Sequence, residues 1–339
     1  MSSDNILVTG GAGYIGSHTC KVLAAAGYRP VTLDNLVKGR EAAVRWGPFI
    51  RGDVADEPLV RRILREHHIS GVMHFAGYAA VGESMEEPGR YFQNNLGATV
   101  ALLSAMRAEG VSNIVFSSTC ATYGIPESLP ITEDHPQRPM NPYGDSKLFC
   151  ERALVWFHAA HGIRYAALRY FNAAGADADG EIGQEYEIAT HLVPLTIDAA
   201  LGVRAHLSIY GTDYDTPDGT AIRDYVHVTD LALAHISALE RLAAGRDCMH
   251  LNLGTGQRVS VREVIRMVEK VGGRPVPVKD SPRRAGDPPE LVASSAKAAA
   301  ELGWRPQHSD LRNIVATAWA WHLRKGAGER RTVPAEQPS

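Results

Sequence analysis

The chain has 339 residues, 45% of them hydrophobic, with a formal net charge of −3: enough length for one large or two unequal domains, and no electrostatic case for nucleic acid or an anionic membrane. Its four cysteines, at 20, 120, 150 and 248, show no C-x-x-C spacing, so neither a disulfide framework nor a metal site is expected. With no basic or apolar leader after Met1 and no run of about 18 apolar residues, the expected setting is soluble and cytoplasmic.

Ile6, Leu7 and Val8 form a short apolar run of the kind buried on both faces of a parallel sheet. Thr9 hands over to glycines at 10, 13 and 16, and the apolar spacing of Ile15, Cys20, Val22, Leu23 and Ala26 predicts a helix. A strand, a Gly-rich turn and a helix N-terminus make a phosphate site, because glycine lets the backbone approach a pyrophosphate and the helix end offers unpaired N–H groups. A second strand, Val31-Thr32-Leu33, ends in Asp34, 18 residues after Gly16. A carboxylate at that spacing accepts from the adenosine ribose hydroxyls and repels a 2′-phosphate, which predicts NAD rather than NADP. Lys38 and Arg40 nearby pull weakly the other way.

Further strands are expected over 49–52, 71–75, 113–117 and 165–169, with helices over 15–26, 58–66, 91–107 and 143–160 between them. Alternation at this spacing predicts an α/β fold, a Rossmann-like doubly wound parallel sheet with its ligand edge at the carboxyl ends of the strands. After Asn172 the rhythm breaks. A small, polar, acidic stretch precedes shorter elements: a strand over 207–210, helices over 230–242 and 261–271, and a Pro/Arg/Gly loop over 282–289. The expected division is a cofactor domain over 1–175, a smaller α/β substrate lobe over 176–325 and a loose tail from 326.

Tyr143-Gly-Asp-Ser-Lys147 opens the helix after the fifth strand. Positions i and i+4 share a helix face, so phenol and ammonium can meet at one point. Free tyrosine ionises near pH 10, and a base near neutrality needs a drop of about three units, roughly 4 kcal/mol in favour of phenolate. A neighbouring ammonium and a positive nicotinamide together can supply it. Upstream, Ser117, Ser118 and Thr119 follow a strand, and any of the three hydroxyls could relay a substrate proton to Tyr143.

The Gly-x-x-Gly-x-x-Gly turn, the Ser-Ser-Thr run and the Tyr-x-x-x-Lys pair resemble the extended short-chain dehydrogenase/reductase family, and within it the branch that epimerises UDP-sugars at C4. The segments His74-Phe75-Ala76-Gly77, Val81-Gly82-Glu83-Ser84, Arg169-Tyr170-Phe171-Asn172, Arg223-Asp224-Tyr225-Val226-His227-Val228 and Arg283-Arg284-Ala285-Gly286-Asp287 carry the likeness over residues 5 to 305. The resemblance implies that tightly bound NAD transiently oxidises UDP-galactose or UDP-glucose to a 4-keto sugar. Thr119 would be the relay hydroxyl, Tyr143 the base and Lys147 its activator and a holder of the nicotinamide ribose. The same likeness implies a cofactor seat of Gly10, Gly13, Tyr14, Ile15, Gly16, Asp34, Asn35, Asp53, Val54, Phe75, Ala76, Gly77, Asn95 and Tyr170. The UDP-sugar would meet Asn172, His191, Leu192, Tyr210, Arg223, Tyr225, Arg284, Asp287 and Leu291, with the arginines forking onto phosphate oxygens.

Four positions depart from the best-known bacterial pattern of that branch. Thr119 stands for a serine, Ala79 for a lysine at the cofactor, His191 for an asparagine near the sugar diphosphate and Leu291 for a tyrosine that walls the sugar pocket. The chemistry is left intact and the sugar is put in question, so UDP-pentoses and UDP-GlcNAc are alternative substrates. A nucleotide-sugar dehydratase would carry Asp-Glu after the hydroxyl residue, where this chain has Cys120-Ala121. A non-catalytic NAD sensor would have no use for Tyr143 and Lys147. The resemblance also implies a homodimer, in which the helices over 91–107 and 143–160 pair through surplus apolar positions: Leu96, Val100, Leu103 and Met106 on one, Leu148, Leu154, Val155 and Phe157 on the other.

Overall fold

Strand and helix alternate from the start: β1 (Asn5–Thr9), α1 (Tyr14–Ala25), β2 (Arg29–Asp34), β3 (Phe49–Arg51), α2 (Glu57–Glu66) and β4 (Ile69–His74). The computed structural model describes residues 4–185, 191–284 and 287–331, with side chains as far as Arg324. Two short helices, α3 (Val81–Glu86) and α4 (Pro88–Tyr91), run into a π-helical turn (Phe92–Gly97) and then α5 (Ala98–Glu109). Next come β5 (Asn113–Thr119), α6 (Pro142–His161) and β6 (Arg164–Tyr170).

The central sheet has seven parallel strands once β11 (Met249–Leu253) is added, in the order β11-β6-β5-β4-β1-β2-β3. The apolar runs of β1, β4 and β5 are buried, as a sheet covered on both faces requires. One face packs Leu7, Val72, Ile114 and Phe116 against Leu102, Met106, Cys150 and Leu154. The other packs Ile6, Val8, Met73 and Val115 against Leu23 of α1 and Leu231, Leu239 and Leu242 of α8 (Val228–Ala243). Because β11 and α8 lie beyond residue 175, the expected division there is not a clean one for the sheet.

Among the described residues, the remaining strands are short, two to four residues each, and alternate with four further helices. They are β7 (Asn172–Ala174), α7 (Leu192–Ala200), β8 (Leu207–Tyr210), β9 (Ile222–Arg223), β10 (Tyr225–His227), β12 (Val259–Ser260), α9 (Val261–Gly272), β13 (Val278–Ser281), β14 (Glu290–Leu291), α10 (Ala296–Leu302) and α11 (Leu311–Arg331). They pair as β10·β7, β12-β9-β14 and β13·β8 around a third apolar cluster that includes Val193, Ile197, Val264, Ile314 and Trp319. Among the described residues, no helix is long and apolar enough to cross a membrane.

The helix expected over 91–107 is present and contains a π-helical turn over Phe92–Gly97, where the Asn95 side chain turns inward to Tyr78 and Ser146. One expectation needs correcting. β5 runs two residues past the expected end at Ser117, since Ser118 and Thr119 still pair with Arg169 and Tyr170. Ala285, Gly286 and the tail beyond 331 lie outside the described residues.

Candidate active site

The glycine turn is built for close approach. Gly10 has φ of +70°, and a Cβ there would sit 2.6 Å from the Ala76 nitrogen. A Cβ on Gly16 would run into the Gly10 carbonyl. Helix α1 begins after Gly13 with no side-chain cap and no acid in its first turn, so its N–H groups and dipole face the turn without a competing side chain. The Tyr14 hydroxyl donates to the Gly175 carbonyl at 2.6 Å, and Ile15 packs at the edge of the core. These features fit a dinucleotide pyrophosphate.

Asp34 ends β2 with its carboxylate aimed back at the turn. Its oxygens accept from Ala12 N–H at 3.0 Å and Leu36 N–H at 2.8 Å, which fixes the group while leaving lone pairs for two ribose hydroxyls. Burial pushes this carboxyl above its ordinary value, and the two backbone donors counter the shift. Asn35 donates to Asp53 at 2.9 Å, and the latter's other oxygen accepts from Ala55 N–H, so both stand together at the far end of the seat beside buried Val54.

Phe75, Ala76 and Gly77 continue from β4 across the middle of the site. A Cβ on Gly77 would lie 3.2 Å from both Asn95 Oδ1 and Lys147 Nζ, so this glycine marks where the cofactor seat and the catalytic helix converge. Asn95 spends its amide inside the protein: Oδ1 accepts from Tyr78 N–H at 2.8 Å, and Nδ2 donates to Tyr78 O at 3.1 Å and to Ser146 Oγ at 2.9 Å. It therefore shapes the seat. Ala79 is exposed there and brings no charge.

Asn141 caps α6 by accepting from Gly144 N–H at 2.9 Å, and Pro142 pre-sets the first turn. A Cβ on Gly144 would lie 2.6 Å from the Ala121 carbonyl, so the helix start is pressed against the turn that follows Thr119. Lys147 is buried, donates to the Ser117 carbonyl at 3.0 Å and lies over the Phe116 ring. Desolvation lowers its pKa, with partial opposition from Glu151. The Tyr143 ring stands edge-on to Tyr91, 6.5 Å between centroids. The three hydroxyls now separate. Ser117 pairs with the Tyr170 hydroxyl and Ser118 donates to Glu151, whereas Thr119 accepts from Ala121 N–H at 3.2 Å and bonds the neighbouring Cys120 thiol.

On the other side, Arg223 forms an ion pair with Asp287 and donates to Ile222 O, while the Arg284 guanidinium stacks 4.0 Å over the Tyr210 ring. Leu291 lies beside Arg223 in the β14·β9 register and packs with Cys120 against Tyr123, Ile131, Phe171 and Ala293. Asn172 donates to the Asp224 carbonyl at 3.2 Å, and His191 Nδ1 is 2.8 Å from the Gln184 amide nitrogen.

This architecture has close relatives. Residues 6–254 match the model of the NAD dependent epimerase/dehydratase family. The chain belongs to that family. A UDP-glucose 4-epimerase of Rhizobium meliloti (strain 1021) is 50% identical over 97% of this chain and 100% of its own length. The crystal structure of UDP-glucose 4-epimerase from Brucella ovis in complex with NAD is 50% identical, with a TM-score of 0.92 over 94% of this chain and 98% of that one. A UDP-glucose 4-epimerase from Stenotrophomonas maltophila, solved with NAD and formylated UDP-arabinopyranose, has a TM-score of 0.93 at 38% identity over 96% of this chain and 99% of that one.

Of the expected substrate residues, Tyr225 is buried in the third apolar cluster and Leu192 packs against it. Three contributors escaped sequence reasoning. Glu151 takes Ser118 and Arg169 into one buried pair, and Cys120 walls the same side of the site as Leu291. Asp224 is fully buried, with its carboxylate gathering Thr255, Gly256 and Ala293 behind Arg223. The i+4 spacing of Glu151 from Lys147, and the position of Asp224 inside a quoted motif, were the available signals.

Proposed function

We infer that the chain inverts C4 of UDP-hexoses, interconverting UDP-galactose and UDP-glucose, with NAD held through the cycle. The observation that carries this is the bond from Lys147 to the Ser117 carbonyl, which joins the helix bearing Tyr143 to the strand bearing Thr119. NAD, when bound, supplies the oxidant that removes hydride from C4 and returns it to the other face of the ring. The chain's part is to move a proton and to hold the ligand. Thr119 donates and accepts at the sugar O4 and passes the proton to the Tyr143 phenolate. Lys147 keeps its positive charge close to that phenolate inside a buried pocket, where the attraction is little screened.

Inversion requires the C4 ketone to turn about its diphosphate link. Arg223 and Arg284 suit a firm hold on the diphosphate, the first fixed by Asp287 and the second by the Tyr210 ring. The wall made by Leu291 and Cys120 is apolar, which suits a loose hold on the hexose. That wall favours UDP-pentoses as second substrates, since loss of C6 creates no clash. The residues after 175 that carry Arg223, Arg284 and Asp287 act as the substrate-holding lobe.

A homodimer belongs to the same reading, with a corrected surface. Leu103, Met106 and Leu154 are fully buried in the protein's own core and Leu148 is nearly so. The apolar groups left in solvent on these helices are Val100, Phe149, Val155 and Trp156, the last 74% exposed. Phe149 and Trp156 are seven residues apart on α6, hence on one face, where a second copy would cover them.

The deciding experiment incubates the purified protein with UDP-galactose and no added NAD. UDP-glucose should accumulate to an equilibrium mixture; no conversion, or conversion only with added NAD, would refute the reading.

A further inference from the structure

Between the glycine turn and α6 runs a series of buried polar groups in two hydrogen-bonded stretches that meet at Asn95. Thr9, the last residue of β1 and the one before Gly10, lies 2.6 Å from His74 Nδ1 at the end of β4. His74 Nε2 lies 3.0 Å from Thr99 Oγ1. Thr99 donates to the Asn95 carbonyl at 2.6 Å, and the Asn95 amide donates to Ser146 Oγ at 2.9 Å. Ser146 donates in turn to the Tyr143 carbonyl at 2.8 Å. Thr9, His74, Thr99, Asn95 and Ser146 are each at most 2% exposed.

The bonding sense follows by elimination. The Thr99 hydroxyl has one proton and spends it on Asn95, so it must accept from His74 Nε2–H. The imidazole is neutral, as burial and the nearby Lys147 cation depress its pKa to about 3. Nδ1 is then an acceptor and Thr9 its donor, so every bond points from the glycine turn toward Tyr143. Bonds aligned in one direction polarise one another and stiffen the run. The break between Asn95 backbone and side chain falls in the π-helical turn, which turns the amide toward Ser146.

We propose that this His74–Thr99–Asn95 relay is a positioning device: it fixes the first turn of α6, and with it Tyr143 and Lys147, relative to the cofactor seat. The proposal rests on the epimerase reading above. It does not carry protons to solvent, because C4 inversion takes up and returns the same proton. Its service is geometric. A misplacement of about 1 Å at a reacting group can cost on the order of a hundredfold in rate, and the Asn95–Ser146 bond acts on the first turn of α6 itself.

The test compares Thr99→Val with Thr99→Ser in the full-length holoenzyme. Valine keeps the shape and removes the hydrogen bonds to His74, Asn95 and the Cys150 thiol; serine keeps the hydroxyl. Thr99→Val should lose about tenfold or more in kcat for UDP-galactose with KM within about twofold, and Thr99→Ser should stay near wild type. Ultraviolet difference titration, referenced to Tyr143→Phe, should show the Tyr143 phenolate appearing at higher pH in Thr99→Val than in wild type. Should Thr99→Val fail to fold, Thr9→Val against Thr9→Ser asks the same question at the other end. A valine variant that loses only thermal stability, with kcat and phenolate titration unmoved, overturns the proposal. If wild type itself does not epimerise UDP-galactose, the functional reading fails, while the phenolate titration still judges the relay.

Discussion

Lys147 donates to the Ser117 carbonyl at 3.0 Å, and that bond ties the helix carrying Tyr143 to the strand carrying Thr119. The two groups that share one substrate oxygen in the proposed mechanism are therefore set by a contact between their supports. The ammonium is buried, so the tie also places a charge where water screens it little. Replacing Tyr143 by phenylalanine keeps the ring against Tyr91 and removes only the base. Loss of a general base costs about 10²- to 10⁴-fold, so kcat should fall by that much while the Kd for UDP measured by calorimetry stays close to wild type. Thr119→Ala should be slow and Thr119→Ser much less so. Wild-type turnover by Tyr143→Phe would remove the assignment.

Asp34 bears on which dinucleotide is bound. Its carboxylate is fixed by Ala12 and Leu36 and has a Gly39 so close that a Cβ there would lie 2.9 Å from one oxygen. A 2′-phosphate brought to this group would meet a like charge in a confined space. The nucleotide released on denaturing the purified protein should be NAD, and chromatography finding NADP instead would contradict the assignment.

Glu151 and Arg169 form a buried pair in which the carboxylate takes Nε and Nη2 of the guanidinium, joined by Ser118 and Gln137. Burial alone would raise the Glu151 carboxyl, but Arg169 and the Ser118 hydroxyl hold it below the ordinary value. A carboxyl whose folded value is depressed adds stability above its unfolded pKa, near 4.3, and loses it as pH falls toward the folded value. Glu151→Gln strands the Arg169 charge and should cost about 3–5 kcal/mol in denaturant unfolding at neutral pH. The gap between variant and wild type should narrow below about pH 4. A gap constant across that range would mean that the pair carries no proton linkage.

The sheet was legible because its signals are local. A buried parallel strand shows as an apolar run, and Ile6–Val8 and Val31–Leu33 both lie in strands where that pattern puts them. The π-helical turn was not legible: Asn95 is pulled inward by Tyr78 and Ser146, the latter 51 residues away. The partners of Ser117 and Ser118, Tyr170 and Glu151, lie 53 and 33 residues away and leave no local trace. In the substrate lobe the strands run two to four residues, too short for periodicity to register, and Arg223 meets Asp287 across 64 residues. There the likeness to a family named the residues, and the fold explains how they meet.

The exposed face of α6 makes the dimer testable at one residue. Trp156 is a large apolar side chain standing in solvent, with Phe149 two turns away and Phe92 stacked edge-on to Phe149 at 6.0 Å. Wild type should sediment as a dimer at micromolar concentration. Trp156→Glu places a charge at the centre of the proposed interface and should sediment as a folded monomer. A wild-type monomer, or a Trp156→Glu dimer of unchanged affinity, would exclude this face.

The sugar pocket carries the last prediction. Leu291 and Cys120 share a backing of Tyr123, Ile131, Phe171 and Ala293, so a change of volume at either is felt in one wall, the one against which the hexose turns in the proposed function. An acetamido group at C2 has to clear that wall in both orientations of the ring, and steric exclusion decides whether it can. Leucine is smaller than tyrosine and carries no hydroxyl to bridge the pocket. UDP-galactose and UDP-glucose should therefore be the main substrates, with measurable turnover of UDP-GlcNAc and of UDP-pentoses. A missing methylene or hydroxyl contact in such a wall discriminates by only about 10–200-fold. Leu291→Tyr should suppress the N-acetyl activity and spare the hexose reaction, read as the ratio of kcat/KM for the two substrates. If wild type shows no N-acetyl turnover and Leu291→Ser creates none, the selectivity lies on another wall. His191, held by Gln184 at the start of α7, is then the residue to change next.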